Sequence, residues 1–179
     1  MQHSSPCLGD RLSVAYVTAL VLSRLDCSNG TLIGLPIYLI PRLQSVQNAA
    51  AQLIFRLRRS DHITDALISL RWLRVPESIV FKVAVQTYRA LHGDAPQYLR
   101  QFTPVTSIPT RQRLRSSTSD DPCIPAVRLP TVGRRAFSVA GARVWNDLPA
   151  DVTSAPSLST FRKRLKLHLF PLPYPGLVL

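Results

Sequence analysis

The stretch that decides the fold is "PESIVFKVAVQTYRALHG", residues Pro76–Gly93. A helix that is apolar on several sides must be covered on several sides, so this stretch predicts a central, buried helix. Pro76 suits the first turn, Gly93 suits the C-terminal cap, and Pro96 prevents the helix from resuming. The side chains that cover nearly its whole circumference are Ile79, Val80, Phe81, Val83, Ala84 and Val85.

Three further helical segments come before this stretch. Residues Arg11–Asp26 predict a helix that is apolar on most sides, and residues 38–60 predict one with a single apolar face, in which Pro41 must lie in the first turn. We expect Ser60 or Asp61 to cap a short helix over 62–73. In the 38–60 helix the expected apolar face is Leu39, Leu43, Val46, Ala50, Leu53 and Leu57, opposite Gln44, Gln47, Asn48, Gln52 and Arg59.

The chain changes character after the central helix. Pro, Ser, Thr, Gln and Arg dominate residues 94–122, which predicts a long loop. Residues 124–130 and 134–145 alternate like strands and predict a β-hairpin with Gly141 at a bend. We expect Ser157 to cap a last helix with an apolar stripe of Leu158, Phe161, Leu165 and Leu169.

These segments together predict a mainly α fold with a small β-hairpin, an α+β arrangement that is partly irregular. The apolar share of 46% is typical of a folded chain, and 179 residues suffice for one domain with a real core or two very small ones. In order, the parts are an N-terminal extension (1–20), a helical segment (21–93), a Pro/Ser/Arg-rich loop (94–122), a β-hairpin element (123–149), a basic amphipathic helix (157–170) and a tail (171–179).

The charge balance points to a polyanionic partner. Lys and Arg number 22 against 10 Asp and Glu, a net charge of +12. Only three of the 22 are lysine, and a guanidinium, unlike an ammonium, binds phosphate oxygens in a fork and stacks on bases. A strongly basic, arginine-rich domain is typical of nucleic-acid binding, with ordinary solubility as the alternative.

Three basic clusters carry the only chemical signal in the chain. If the segment is extended, the arginines at 111, 113 and 115 project from one side about 6–7 Å apart, close to phosphate spacing. For these three arginines the alternative is a solvated loop. For Arg56, Arg58 and Arg59 the alternative is stabilisation of the helix dipole, and for Arg162, Lys163 and Lys166 it is nuclear import or solvation. The candidate nucleic-acid-binding residues are Arg56, Arg58, Arg59, Arg111, Arg113, Arg115, Arg162, Lys163 and Lys166.

No arrangement of residues indicates catalysis. The four histidines and three cysteines are scattered, and adjacent Asp120 and Asp121 fit a turn better than a metal site. We therefore expect no catalytic residue, metal, cofactor or small-molecule substrate. Trp72, Tyr88 and Trp145 are expected in the core. Without a secretory signal or a membrane-spanning segment, we expect an intracellular protein of the nucleus or cytoplasm that is not secreted and contacts no membrane.

Several segments, taken in order, resemble a known family. They are "SRLDCSNGTLIGLPIYLIPRLQSVQNAAAQLIF", "DHITDALISLRWLRVPESIVFKVAVQTYRALHGDAPQYL", "RLRSS", "GRRAFSVAGARVWNDLP" and "SLSTFRKRLKLHLF". Over roughly residues 21–170 they look like the C-terminal region of the reverse-transcriptase polyprotein of LINE-type (non-LTR) retrotransposons, jockey-like and chicken-repeat-like clades above all. In this resemblance, Phe137 and Trp145 are packing anchors of a strand-turn element.

The resemblance implies an inert fragment. The family's metal-binding Phe/Tyr-Ala-Asp-Asp signature lies upstream of the matched region and does not occur in this chain, so we expect no enzyme activity. The resemblance implies that the matched segment is thumb-like and follows the polymerase palm. In the family, this segment helps to hold template RNA and target DNA. Departures at Cys27-Ser28-Asn29, where the family has Tyr-Cys-Asn, and at Pro41 indicate a decayed copy.

The functional expectation is therefore weak, sequence-independent RNA or DNA binding through arginine-rich surfaces. The alternatives are a host-retained scaffold module that docks an unidentified protein partner through the basic C-terminal helix, or a translated remnant without function.

Overall fold

The computed structural model describes residues 14–28, 32–34, 36–107 and 121–174. The chain is mainly α, as predicted, and no strand occurs in these ranges. The helices are α1 (14–28, with a π-helical stretch at Thr18–Leu22), α2 (Ile40–Phe55), α3 (Thr64–Ser69), α4 (Val75–Leu91), α5 (Pro130–Gly133), α6 (Phe137–Asn146), α7 (Ala150–Thr153) and α8 (Leu158–Leu169). Short 3₁₀ turns occur at Ile37–Leu39, Gln97–Leu99 and Val105–Ser107.

Helix α4 is central, which confirms the prediction from its sequence. It packs against α2, α6 and α8, and Pro76 lies in its first turn. At its other end Gly93 adopts a φ of +83°, and the Asp94 N–H donates to the Arg89 carbonyl over 2.8 Å. This bond satisfies a carbonyl that the helix itself leaves free. The buried residues of α4 are Val75, Ile79, Val83, Ala84, Val85, Thr87, Tyr88 and Ala90.

A first hydrophobic core joins α4 to α6, α7 and α8. Phe161 of α8 is fully buried, with its ring centroid 4.6 Å from that of Tyr88 and 5.7 Å from that of Trp145. The Tyr88 hydroxyl donates to the Ala155 carbonyl over 3.1 Å, so this buried phenol is satisfied. Tyr88 and Trp145 are core aromatics, as predicted. The other buried members are Ala84, Val85, Val152, Leu165 and Leu169.

A second core joins α2 and α3 to the segment that follows α8. Ala50, Ala51 and Ala66 are small, which lets these helices approach closely around the larger side chains. Trp72 is buried here, as predicted, and Val17 and Val21 of α1 pack against the cluster's edge. The remaining buried members are Leu67, Phe170 and Tyr174.

The prediction of an apolar buried face on α2 is wrong in part. Val46 and Leu53 are 48% and 69% exposed, whereas Gln47, predicted to face solvent, is only 3% exposed. Ala50 is buried, as predicted, and Pro41 lies in the first turn. The buried residues of α2 are therefore Gln47, Ala50 and Ala51, and Ile54 packs at the edge of the second core, whereas Val46 and Leu53 point to solvent.

A chain of amide hydrogen bonds explains why α2 buries a polar side chain. The Val75 N–H, at the start of α4, donates to Gln44 Oε1 over 2.9 Å. Gln44 Nε2 in turn donates to Gln47 Oε1, and Gln47 Nε2 donates to the Leu73 carbonyl over 2.8 Å. The first N–H groups of a helix have no partner within it, so α2 supplies the cap that Arg74 does not.

The predicted β-hairpin over 123–149 is wrong, because this region contains helices α5 and α6. Only an isolated bridge between Pro104 and Pro122 has β pairing in the described ranges. Proline has no N–H to donate to a ladder, and a short apolar run fits helical spacing as well as alternation. The residues that α6 buries are Val139, Ala140, Gly141, Ala142 and Trp145, so the prediction that this stretch serves packing is confirmed.

Gly141 is a close-approach site rather than a bend. A Cβ at this position would lie 2.6 Å from Thr87 Oγ1 and 2.9 Å from Cζ of Phe102. Any larger residue would therefore push α6 away from α4. Phe137, the predicted anchor at the start of α6, packs edge-on against Phe102 with centroids 5.5 Å apart.

The two predicted N-terminal caps have different outcomes. Ser157 caps α8: its Oγ accepts from the Thr160 N–H over 3.3 Å. Neither Ser60 nor Asp61 caps α3, which begins at Thr64 without a side-chain cap. Asp61 Oδ2 instead accepts from the Arg58 N–H over 2.7 Å and stabilises the turn between α2 and α3.

Candidate nucleic-acid interface

Helix α8 holds one of the predicted basic clusters, and the structure divides its members between two grooves. Its apolar stripe of Phe161, Leu165 and Leu169 is buried in the first core, as predicted. The cluster of Arg162, Lys163 and Lys166 is therefore left at the surface, where all three side chains are exposed. Packing fixes the helix, so these cations project from a rigid support.

A first groove lies between α4 and α8, and we call it the α4–α8 groove. Arg162 borders it from α8, and Lys82 and Arg89 border it from α4. Phe81, Val85 and Gln86 complete its lining, and its volume is about 470 Å³. None of the described residues in this lining is Asp or Glu, and all three cations border the same space.

Lys82 and Arg89 were not among the predicted site residues. Their signal in the sequence is their spacing: residues 82, 86 and 89 follow each other by four and three positions, which places them on one face of α4. The apolar character of α4 obscures this face, because the sequence does not show which side of the helix its neighbours leave exposed. The groove exists only once α8 packs beside α4.

A second groove lies between α3 and α8, and we call it the α3–α8 groove. Lys163 and Lys166 border it from α8, and Arg71 borders it from the turn after α3. Its volume is about 710 Å³, and its apolar lining consists of Ile68, Leu167 and Phe170. Here too, none of the described residues that line the groove is Asp or Glu.

Arg71 holds an unusual backbone conformation for a residue with a side chain. Its φ is +52°, in the left-handed region, and the bonds from Arg71 N to Ile68 O (2.9 Å) and from Trp72 N to Leu67 O (3.0 Å) close the end of α3. Glycine is the usual residue at this position, because a Cβ is strained there. Arg56 has the same conformation, with φ of +53°, after the end of α2.

The other predicted basic residues contribute differently. Helix α2 ends at Phe55, before the predicted end at residue 60, so Arg58 and Arg59 lie in the turn that follows it. All three arginines of this cluster are exposed, and none lines either groove. Arg111, Arg113 and Arg115 lie outside the described residues.

A further polar group lies at the start of α4, beside the second core. Arg74 lies over the Tyr174 ring, 5.1 Å from its centroid, and Glu77 is nearby. Burial raises the pKa of the Tyr174 phenol above its ordinary value, and the Arg74 charge opposes that rise. Arg74 Nε, Glu77 Oε2 and the Tyr174 hydroxyl have no hydrogen-bond partner within the described ranges. We assign this group to the second core.

Two features are absent from the described residues. No group of three or more His, Cys, Asp or Glu side chains is placed to hold a metal ion. None of the helices there combines the length and the apolar character needed to cross a lipid bilayer.

Comparison of the chain with protein-family models, with curated proteins and with solved structures finds no match. The function of the chain is therefore inferred from the two grooves and from the sequence.

Proposed function

We propose that this chain binds RNA or DNA without sequence preference, through a basic surface centred on α8. The observation that carries the proposal is the α4–α8 groove, which Lys82, Arg89 and Arg162 border together and in which none of the described lining residues is acidic. Cations that line a groove with apolar walls focus the electrostatic potential and attract a polyanion from a distance. The net charge of +12 adds a long-range attraction to any such partner.

Contacts to phosphate, rather than to bases, account for the absence of sequence preference. Lys and Arg side chains that bind phosphate oxygens position a nucleic acid without reading its bases. Trp72, Tyr88 and Trp145, which could otherwise stack on bases, are all buried in the two cores. Lys163 and Lys166, with the predicted arginines elsewhere in the chain, add to the same positive potential.

We further propose that the chain is an inactive C-terminal portion of a non-LTR retrotransposon reverse transcriptase and works inside the cell. The support is the order of its motifs over roughly residues 21–170, together with the lack of the polymerase's metal-binding tetrad in the sequence. On this proposal the chain is not an enzyme and needs no cofactor. It would hold template or target strands without acting on them.

Substitution of the groove's three cations tests the binding proposal. The variant Lys82→Gln, Arg89→Gln, Arg162→Gln should bind a fluorescent single-stranded RNA and a duplex DNA at least about tenfold more weakly in 0.1 M salt. A control variant, Arg128→Gln, Arg134→Gln, Arg143→Gln, removes the same charge from exposed positions that line neither groove. If both variants lose affinity equally, net charge alone explains the binding and the groove has no special role.

The alternative is a protein partner that docks on the basic helix 157–170. The fold limits the surface of this helix that such a partner could contact. The apolar stripe of α8 is buried in the first core, so it does not contact a partner. Deletion of the helix would expose this core, and loss of binding after that deletion would report unfolding. A protein partner is left with the basic side of α8 and the α3–α8 groove.

A further inference from the structure

The α3–α8 groove differs from the α4–α8 groove in its floor. One of its apolar side chains, Leu167 in the last turn of α8, is 61% exposed. Ile68 contributes a second aliphatic side chain from α3. An exposed leucine alone is ordinary, but one set in a groove of about 710 Å³ beside other apolar groups marks a binding surface.

This floor suits aliphatic side chains better than nucleic-acid bases. Bases bind single-strand grooves by stacking on exposed aromatic rings or guanidinium planes. The aromatic residue of the floor, Phe170, is only 6% exposed, and its ring packs against that of Tyr174 with centroids 5.5 Å apart. The lining of the groove therefore combines aliphatic side chains with three positive charges, from Arg71, Lys163 and Lys166, which we call its rim.

We propose that the α3–α8 groove binds an acidic amphipathic helix of a partner protein. Leu or Ile side chains of that helix would pack on Ile68 and Leu167, and its Asp or Glu side chains would pair with Arg71, Lys163 and Lys166. Helix-in-groove recognition uses this combination of an apolar seam and charged flanks. Complementary charge also steers the encounter and excludes basic helices.

A second copy of this chain does not fit as the partner. No helix among the described residues contains more than one Asp or Glu, and α2, α6 and α8 contain none. The rim would therefore face neutral or basic helices of the second copy. The occupant we infer is a different, acidic protein, and this inference is independent of the proposed nucleic-acid binding.

Binding of a synthetic peptide tests the inference on the whole chain. The probe is a helical peptide of about 16 residues, some 24 Å long, with Leu at helical spacing on one face and Glu on the others. Control peptides carry Lys in place of Glu, or the same residues in scrambled order. We expect micromolar binding of the acidic amphipathic peptide alone. Equal binding of all three peptides, or of none, would overturn the inference.

The variant Leu167→Ser separates this groove from the nucleic-acid surface. Because Leu167 is exposed, the substitution should leave the melting temperature unchanged while weakening peptide binding about tenfold and leaving RNA binding intact. The variant Lys82→Gln, Arg89→Gln, Arg162→Gln should show the reverse pattern, so either proposal can fail alone. If RNA displaces the peptide and Leu167→Ser weakens RNA binding, the groove belongs to the nucleic-acid surface and the inference is wrong.

A glycine substitution tests the rim without disturbing the fold. Arg71→Gly suits the left-handed backbone, so it should keep or raise the melting temperature while weakening peptide binding severalfold. Arg56→Gly is the matched control, because it relieves the same backbone conformation at a position that lines neither groove. Equal peptide affinity in both variants would exclude Arg71 from the binding rim and contradict the proposed charge pairing.

Discussion

Helices α2 and α8 both combine apolar and polar residues at helical spacing, yet they bury opposite kinds of side chain. Helix α8 buries Phe161, Leu165 and Leu169 and leaves its cations in solvent. Helix α2 buries Gln47 between alanines and leaves Leu53 exposed. The difference teaches that periodicity finds the faces of a helix, whereas the neighbouring elements decide which face is buried.

The neighbours of the two helices explain the outcome. Helix α8 packs against α4 where aromatic side chains leave a deep apolar site, which Phe161 fills. Helix α2 packs against the start of α4, where an uncapped N–H and a free carbonyl require hydrogen bonds. Gln44 and Gln47 supply these bonds, and an aliphatic side chain at either position could not.

The largest expected difference in stability is between two variants that each remove one phenylalanine, one from α8 and one from α2. Phe161→Ala empties the centre of the first core and should lower the free energy of unfolding by about 3–5 kcal/mol. Phe55→Ala, at a position in α2 that is 43% exposed, should cost under about 1 kcal/mol. Urea unfolding measures both values. Equal losses would break the contrast between the two helices.

A smaller effect should distinguish two glutamines of α2. Gln47→Ala removes the side-chain donor to the Leu73 carbonyl and one of the two acceptors of the Gln44 amide, which should cost about 1–3 kcal/mol. Gln52→Ala should change stability by less than about 0.5 kcal/mol, because the one side-chain bond of Gln52 in the described structure is long and exposed. A Gln47→Ala variant as stable as the parent chain would show that the amide chain has no energetic role.

The smallest effect should come from an apolar residue that the sequence assigned to the core. Leu53→Gln replaces a side chain that is 69% exposed, so the unfolding free energy should stay within about 0.5 kcal/mol of the parent value. A thermal or urea unfolding curve is sufficient to measure this. A loss of 2 kcal/mol or more would restore the apolar face that the spacing of α2 predicts.

The sequence predicts an element correctly where its residue pattern is compatible with only one type of structure. Helix α4 is apolar on several sides, and α8 has an apolar stripe with a serine cap, so both were predicted correctly. The sequence of 123–149 predicts strands because short apolar runs fit the period of a strand as well as that of a helix. The close contact of α6 with α4 at Gly141, which requires a helix there, depends on tertiary packing that the sequence does not show. The polar cap that α2 gives α4 joins residues far apart in the sequence.

The candidate site shows the same limit. The cations of α8 are visible in the sequence because they interrupt a clear apolar stripe. Lys82, Arg89 and Arg71 are dispersed along the chain, and only packing of α8 beside α4 and α3 brings them to the same grooves. The floor of the α3–α8 groove is equally invisible, since Leu167 in isolation resembles any surface leucine.

The salt dependence of duplex DNA binding tests the central claim, that the α4–α8 groove binds phosphates, most directly. Each phosphate neutralised adds about −0.9 to the slope of log affinity against log salt, so three contacts contribute about −2.7. Replacement of Lys82, Arg89 and Arg162 by Gln should reduce the slope by that amount, which is about fortyfold in affinity between 50 and 200 mM salt. An identical slope for the parent chain and the variant would contradict the claim.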